Sequence, residues 1–302
     1  MLHTILQGSR IDGTPVDIRL DSVVPKGAML IYTGTDLDNE NRLFVKAEPA
    51  SQAGKSRMFD TELHALREVN GDPRIVSLYA TGEYPRADPA NLRTGRFLAL
   101  PLLRPGTDLE KHVEENGPMQ AEPAVRMMDD MLAGVQAYHE RGIVHRDIKP
   151  ANIVLDRKGW RLVDPGVSKC KGIAEIVGGL TGTPGYMAPE MIVSNELGDN
   201  FYLNLPWIPN VARTTSVDTH SDVYCAGLVA YYALTGMDAY GKTGSVLGLA
   251  MRNLSGEFIP LGQTMIGKAL PPRLVDVVDS SLSMDYKQRP TVPEFRQGLR
   301  EV

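Results

Sequence analysis

The spacing of apolar and polar residues divides the chain into a strand-rich first third and a helix-rich remainder. Two apolar runs, 28–33 and 42–46, flank the polar stretch 35–41, which is rich in aspartate and asparagine. Apolar runs on either side of such turn formers predict a β-hairpin. Residues 96–103 read as a buried strand that runs into a connector, because a proline and a glycine follow it.

Apolar side chains at helical spacing predict helices in other parts of the chain. Leu63, Leu66 and Val69 lie three residues apart on one helix face, and the turn formers of 70–73 end that helix. A second stripe predicts a longer helix and consists of Val125, Met128, Leu132 and Val135. Residues 223–235 are apolar on nearly every side, so we expect their helix to be buried all round.

The order of these elements predicts an α+β fold with two lobes. We assign 22–101 to a small β-rich lobe with one main helix and 102–302 to a larger, mainly α-helical lobe. Residues 1–21 are interpreted as an N-terminal extension. A chain of 302 residues is long for a single core, which agrees with two lobes.

Composition and charge exclude several classes of protein. The chain is 42 % hydrophobic and 23 % charged, as in an ordinary soluble globular protein. Its net charge of −5 argues against a nucleic-acid partner, which would require a basic face. The apolar runs are too short to form a membrane segment. Two cysteines and no visible signal peptide favour the cytoplasm and leave delivery to a host cell open.

Residues 145–152 carry the most specific pattern in the chain, His-Arg-Asp-Ile-Lys-Pro-Ala-Asn. This segment resembles the catalytic loop of protein kinases, H-R-D-x-K-P-x-N, in the form typical of serine/threonine kinases. The resemblance implies that Asp147 orients the substrate hydroxyl and accepts its proton. It also implies that Lys149 offsets charge on the transferring phosphate, and that Asn152 is an oxygen ligand of Mg²⁺.

Two further parts of a kinase nucleotide site stand in the expected order. Asp164 begins an Asp-Pro-Gly segment in the place of the D-F-G motif, 17 residues after Asp147. The resemblance implies that Asp164 joins the metal to the phosphates of ATP. Lys46 ends a strand in the place of the V-A-I-K lysine, and its implied partner is Glu62 on the predicted helix. The implied cofactors are ATP and Mg²⁺, with Mn²⁺ as an alternative metal.

The C-terminal half carries residues with implied structural roles. Residues 182–190 resemble the end of an activation segment, and Glu190 is the implied partner of Arg289 in a buried ion pair. Asp222 is implied to anchor the backbone of the catalytic loop. The resemblance to eukaryotic-type, or Hanks-type, serine/threonine protein kinases extends over roughly 22–300.

Three positions depart from the family pattern. The glycine-rich loop is reduced to one glycine, Gly27, which we assign to phosphate binding because a glycine lets the backbone approach a phosphate closely. Phe44 replaces a small residue next to the expected adenine site, where it would crowd the base or stack on it. Pro165 replaces the phenylalanine of D-F-G and should restrict movement there.

Three functions are considered, and the first is favoured because all the parts required for phosphoryl transfer are present: Lys46, Glu62, Asp147, Lys149, Asn152 and Asp164. The first is a Mg²⁺-dependent kinase that transfers the γ-phosphoryl group of ATP to a serine or threonine of a protein substrate. The second is a catalytically weak pseudokinase that acts as a nucleotide-binding interaction module, which the three departures favour. The third is a small-molecule kinase, against which the Ala-Pro-Glu segment and Asp222 argue. The sequence does not predict the oligomeric state.

The resemblance also implies regulatory residues around the catalytic loop. Arg146 is implied to bind a phosphate on the activation segment, for which Thr181 is the preferred acceptor hydroxyl. The alternative is that Thr181 is an ordinary loop residue. Thr183 is implied to bond to Asp147 and Lys149 as a structural hydroxyl.

The segment between Glu190 and Asp222 has 31 residues and is longer than the family usually has. Its insertion, 194–217, contains phenylalanine, tyrosine and tryptophan, which are frequent anchors of protein contacts. A docking partner at 194–217 is therefore one interpretation. A local lid packed on the helical lobe is the other.

Overall fold

The computed structural model describes residues 4–24, 30–48, 56–84, 95–104, 106–165, 168–170, 183–194, 217–241 and 245–302. The strands are β1 (Ile5–Arg10), β2 (Pro15–Val24), β3 (Leu30–Asp36), β4 (Arg42–Ala47), β5 (Ala80–Tyr84), β6 (Gly95–Pro101), β7 (Ile143–Val144), β8 (Ile153–Asp156), β9 (Gly159–Leu162) and β10 (Lys169–Cys170). The helices are α1 (Arg57–Glu68), α2 (Leu109–Asn116), α3 (Ala121–His139), α4 (Pro189–Ser194), α5 (Thr219–Thr235), α6 (Val246–Ser255), α7 (Pro272–Ser281) and α8 (Val292–Arg300). The expected α+β class, with a β-rich first part containing one helix and a mainly helical second part, is confirmed.

The first six strands form a closed antiparallel barrel in the order β1-β2-β3-β4-β6-β5. The predicted hairpin is present as β3 and β4, with Ile31 opposite Lys46 in the ladder. Alternate residues of the strands face inward and are buried, as the period of two in a strand requires. The apolar interior of the barrel consists of Leu6, Val16, Ile18, Leu20, Leu43, Val45, Ala47, Ala80, Phe97 and Ala99.

A pair of glycines closes the barrel between β1 and β5. Gly8 lies opposite Gly82 in the antiparallel ladder. A β-carbon on Gly82 would lie 2.5 Å from the carbonyl oxygen of Gln7 and 2.6 Å from the ring of Phe97. Phe97 is fully buried, so its ring takes up the space that the two absent side chains leave. The seam therefore depends on glycine at both positions.

The expected N-terminal extension, 1–21, is not separate from the sheet. Residues 5–24 supply β1 and β2, and β2 continues without a break past residue 21. Asp12-Gly13 lies between these strands and is followed by alternating apolar residues at Val16, Ile18 and Leu20, which together form a hairpin signal in the sequence. The sheet therefore begins at residue 5, while the division into lobes near residue 101 stays a prediction.

Helix α1 packs against the barrel and brings Glu62 towards β4. The side chain of Ser56 caps its first turn by accepting a hydrogen bond from the backbone N–H of Phe59. Phe59 and Leu66 are buried in an apolar cluster with Leu98 of β6. Because Glu62 lies on this inward side, its carboxylate is directed at the sheet and is only 3 % exposed.

The helical part is organised around α5, as predicted. Every residue from Ser221 to Thr235 is buried, and Gly236 ends the helix in the left-handed conformation at φ 71°. Helix α3 packs against α5 and α8, and its predicted stripe lies in the same core. None of the helices in the described ranges is both long enough and apolar enough to cross a bilayer.

Candidate active site

Lys46 of β4 connects the barrel to the helical part through two carboxylates. Its Nζ lies 2.6 Å from Oε1 of Glu62 and 2.6 Å from Oδ1 of Asp164. The lysine and glutamate side chains are almost fully buried, whereas the side chain of Asp164 is 38 % exposed. An ammonium therefore lies between a buried carboxylate and a partly exposed one.

Burial and mutual charge together shift the pKa values of Lys46, Glu62 and Asp164. Burial opposes the charged form of Lys46, but Glu62 and Asp164 outweigh burial and raise the pKa of the lysine. Burial likewise opposes ionisation of Asp164, yet the nearby ammonium of Lys46 holds the pKa of that carboxyl below its usual range. Burial raises the pKa of Glu62, and Lys46 counteracts part of this effect. Lys46 and Asp164 are therefore charged at neutral pH.

Four polar side chains meet at the catalytic loop. Nζ of Lys149 lies 2.8 Å from Oδ2 of Asp147 and donates to Oγ1 of Thr183 at 2.7 Å. The Thr183 hydroxyl donates to the other oxygen of Asp147 at 3.1 Å. Asn152 donates from Nδ2 to the backbone oxygen of Asp147 at 2.8 Å and to its carboxylate at 3.0 Å. Asp147 is therefore held from three sides.

The catalytic loop and the segment of Asp164 are joined directly. The backbone N–H of Val163 donates to the backbone oxygen of Asn152 at 3.0 Å. Asp164 itself has a left-handed backbone, with φ 60°, which is uncommon outside glycine and is often found at functional sites. The charge of Lys149 also contributes to the low pKa of Asp164. The two halves of the predicted site therefore lie in one place.

Asp222 of α5 fixes the backbone of the catalytic loop. Its carboxylate accepts hydrogen bonds from the backbone N–H groups of His145 and Arg146, both at 2.8 Å. Arg146 has φ 67°, so the loop turns sharply at the residue before Asp147. The carboxylate of Asp222 is fully buried and is also 2.7 Å from Nε2 of His139. Through these contacts Asp222 joins α5 to the catalytic loop.

Glu190 and Arg289 form a buried bidentate ion pair. Nη1 and Nη2 of Arg289 donate to the two carboxylate oxygens of Glu190 at 2.7 and 3.0 Å. The hydroxyl of Ser221 donates to the same carboxylate at 2.8 Å, and the guanidinium lies 4.5 Å from the centre of the Tyr224 ring. The pair joins α4 to the segment before α8.

Some predicted residues lie outside the described ranges. These are Gly27, Thr181 and residues 195–216 of the insertion. Phe44 is half-buried and packs against the cluster around α1, and Pro165 is buried directly after Asp164.

His139 and Ser221 were not among the residues predicted from the sequence. Each supports a predicted one, since His139 binds Asp222 and Ser221 binds Glu190. Ser221 directly precedes Asp222, but no local pattern marks its hydroxyl as a partner of Glu190, which is 31 positions away. His139 ends α3 at a distance of 83 positions from Asp222, so the contact could be found only in three dimensions.

The arrangement provides oxygen donors for a hard divalent cation. Asn152 uses its Nδ2 on Asp147, which leaves its side-chain oxygen for a ligand, and Asp164 offers a half-exposed carboxylate. Within the described ranges, no group of three histidine, cysteine or acidic residues forms a metal site made of protein alone. Mg²⁺ commonly takes one or two protein oxygens and completes its shell with phosphates and water, so these two residues fit it.

Comparisons with known proteins agree with this geometry. The model of the protein kinase domain matches residues 30–298. Serine/threonine-protein kinase PknL of Mycobacterium bovis is 29 % identical over 83 % of this chain, and PksC of Streptomyces coelicolor is 26 % identical over 95 %. The match to PkaA of Streptomyces coelicolor reaches 31 % over 69 % of the chain. The aligned regions span 56 %, 46 % and 35 % of these three relatives.

Proposed function

This chain belongs to the protein kinase domain family, and we propose that it transfers the γ-phosphoryl group of ATP to a serine or threonine hydroxyl of a protein substrate. One observation supports the proposal: two clusters of side chains lie next to each other, joined by the hydrogen bond from Val163 to Asn152. Lys46, Glu62 and Asp164 form the first cluster, and the second consists of Asp147, Lys149, Asn152 and Thr183. Phosphoryl transfer depends mainly on positioning and charge neutralisation, and these two clusters supply both.

Each cluster would act on a different part of the reactants. Lys46 would hold the α- and β-phosphates, with Glu62 keeping its ammonium in place. Asp147 would orient the substrate hydroxyl and take up its proton as the new bond to phosphorus forms. Lys149, already paired with Asp147, would offset the negative charge that develops on the transferring group.

Asn152 and Asp164 would hold the divalent metal, Mg²⁺ or Mn²⁺. When bound, the metal neutralises negative charge on the phosphates and orients them. The chain's own contribution is to keep both oxygen donors next to the catalytic loop. The bond between Val163 and Asn152 does this through the backbone.

The experiment is transfer of radiolabelled phosphate from ATP to a generic protein and to a serine/threonine peptide library, with and without Mg²⁺. We expect labelled products with the wild-type chain. Asp147→Ala should lower the rate by at least about 10²-fold, since positioned acid–base groups contribute that much. A wild-type chain that binds ATP but labels no substrate would support the pseudokinase alternative instead. Transfer to small-molecule acceptors alone would support the third function.

Two proposals concern residues outside the described ranges. We propose that Thr181 is a phosphorylation site and that Arg146 binds the added phosphate. We also propose that the insertion 194–217 contacts a protein partner. Intact-mass measurement after incubation with ATP tests the first, because Thr181→Ala should then lose both the added mass and part of the rate. Deletion of 198–212 tests the second, because unchanged substrate preference would contradict docking.

A further inference from the structure

A second ion-pair cluster joins α1 to the sheet beside Lys46 and Glu62. Arg96 of β6 lies across from Glu48, the residue after β4, and the backbone N–H of Glu48 donates to the Arg96 oxygen at 2.9 Å. The Arg96 guanidinium binds both oxygens of the Glu48 carboxylate, from Nε at 2.8 Å and from Nη2 at 2.6 Å. Its remaining nitrogen, Nη1, donates to Oδ1 of Asp60 at 2.6 Å. One side chain thus connects two strands and a helix.

The first turn of α1 also contacts Arg96 through an aromatic ring. The guanidinium carbon lies 4.8 Å from the ring centre of Phe59, which is 1 % exposed. A cation over an aromatic face is attractive, and more so where water is excluded. A planar guanidinium can serve two carboxylates and a ring at once, whereas the single ammonium of lysine cannot.

The contacts of Arg96 connect the same two elements as the Lys46–Glu62 pair of the active site, namely the sheet and α1. Glu48 follows Lys46 by two positions, and Asp60 precedes Glu62 by two positions. Residues two apart on a helix are separated by about 200° around its axis. Asp60 and Glu62 therefore restrain α1 from different sides, and neither contact can replace the other.

We propose that Arg96 is a positioning residue that holds the first turn of α1 against the sheet and so keeps Glu62 within reach of Lys46. The part of this inference that concerns catalysis rests on the proposed function. The part that concerns the placement of α1 does not.

Burial decides which residue should be changed in a test. Glu48 is 0 % exposed, so removal of Arg96 would take a bidentate counter-charge away from a buried carboxylate and endanger the fold. The side chain of Asp60 is 46 % exposed, and its loss leaves the Arg96–Glu48 pair intact. Asp60→Ala therefore removes the ion pair between α1 and Arg96 at little cost in stability, and only the ring of Phe59 still joins the helix to this guanidinium.

The first experiment measures hydrogen exchange of the α1 amides, residues 57–68, in the full chain without nucleotide. We expect Asp60→Ala to speed this exchange and to lower kcat/KM for ATP, each by about three- to ten-fold, with a nearly unchanged Tm. Asp60→Glu should restore both values. Glu122→Ala is the matched control, because it removes an exposed ion pair with Arg126 on α3 and should change neither.

The second experiment separates positioning from the favourable effect of an acidic residue in the first turn of a helix. Arg96→Lys keeps a positive charge for Glu48 but loses the branch that reaches Asp60. In the Arg96→Lys chain, Asp60→Ala should therefore have little further effect on exchange or rate. Fully additive effects would overturn the proposal.

Two other results would also overturn it. One is unchanged α1 exchange in Asp60→Ala, and the other is slower phosphoryl transfer without faster exchange. If the wild-type chain transfers no phosphate at all, the proposed function fails. The exchange measurements still decide whether Arg96 positions α1.

Discussion

At the scale of the residue, the hydroxyl of Thr183 shows how the site depends on a few contacts. It accepts a hydrogen bond from Lys149 and donates one to Asp147, so a single oxygen joins the two groups proposed for catalysis. Both partners are charged in the proposed mechanism, and hydrogen bonds to charged groups are stronger than those between neutral groups. Thr183 thereby adds a second link to the direct contact between Lys149 and Asp147.

We predict that Thr183→Val lowers kcat by about tenfold or more, because a hydrogen bond to a charged group contributes roughly 1.5–3 kcal/mol. Steady-state phosphorylation of a peptide measures this effect. Thr183→Ser keeps the hydroxyl and serves as the matched control, which should retain most of the rate. A valine variant as fast as the wild type would show that the hydroxyl does not position Asp147.

At the scale of the element, ion pairs fix the segments that surround the site. Glu190 at the start of α4 and Arg289 before α8 are both nearly fully buried. Burial opposes ionisation of Glu190, but the hydrogen bonds and charge of Arg289 outweigh it and lower the pKa of the carboxyl. A pair of this kind costs much more to break on one side than an exposed pair does.

We predict that Glu190→Gln lowers the free energy of unfolding by about 3–5 kcal/mol at pH 7. Because the folded-state pKa of Glu190 is depressed, its ionic contribution is complete above the ordinary value of 4.5. That contribution is lost as the pH falls through the lower folded-state value. The difference in the free energy of unfolding between wild type and Glu190→Gln should therefore become smaller at acidic pH.

Urea unfolding at pH 7 and at pH 4 measures this difference. Glu301→Gln is the control, since it removes an ion pair with Arg273 that is about half exposed on both sides. Its effect should stay below about 1 kcal/mol at either pH. An equal loss of stability in both variants would contradict a special role for the Glu190 pair.

At the scale of the whole molecule, the barrel and the helical core are joined through short contacts between distant segments. Residues 74–76 lie beside β9, where Val76 donates to Leu162 and Leu162 donates to Arg74 through the backbone. Lys46 and Asp164 join the same two parts at the active site. Barrel closure by β1 stabilises the sheet that carries Lys46, since no strand edge remains open there.

We predict that Gly82→Ala loosens the barrel seam, because the new β-carbon would meet the Gln7 oxygen and the Phe97 ring at less than 3 Å. Relief of such overpacking usually costs about 1–3 kcal/mol of stability. The amides of β1 should then exchange faster with solvent, and Tm should fall.

Ser9→Ala, at an exposed position of β1, is the control. It should leave the exchange rate of the β1 amides and Tm unchanged. Wild-type exchange in β1 of Gly82→Ala would show that the seam tolerates a side chain.

The sequence by itself determined those elements and functional residues that depend on neighbouring positions in the chain. The hairpin of β3 and β4, the buried helix α5 and the catalytic loop each follow from residues that are close together in the chain. Eight consecutive residues, 145–152, were enough to indicate the kinase family, which the domain match confirmed. Periodicity and short motifs depend only on neighbours in sequence, so they can be read without coordinates.

Tertiary structure alone decided the contacts between distant residues for which the family resemblance offers no motif. The pairing of β1 with β5, the contact of His139 with Asp222 and the bonds of Arg96 join positions 36 to 83 residues apart. Such contacts depend on shape, burial and charge across separate elements, and no local pattern records them. A lone arginine in a strand looks like a solvated surface residue until the fold places a buried carboxylate beside it.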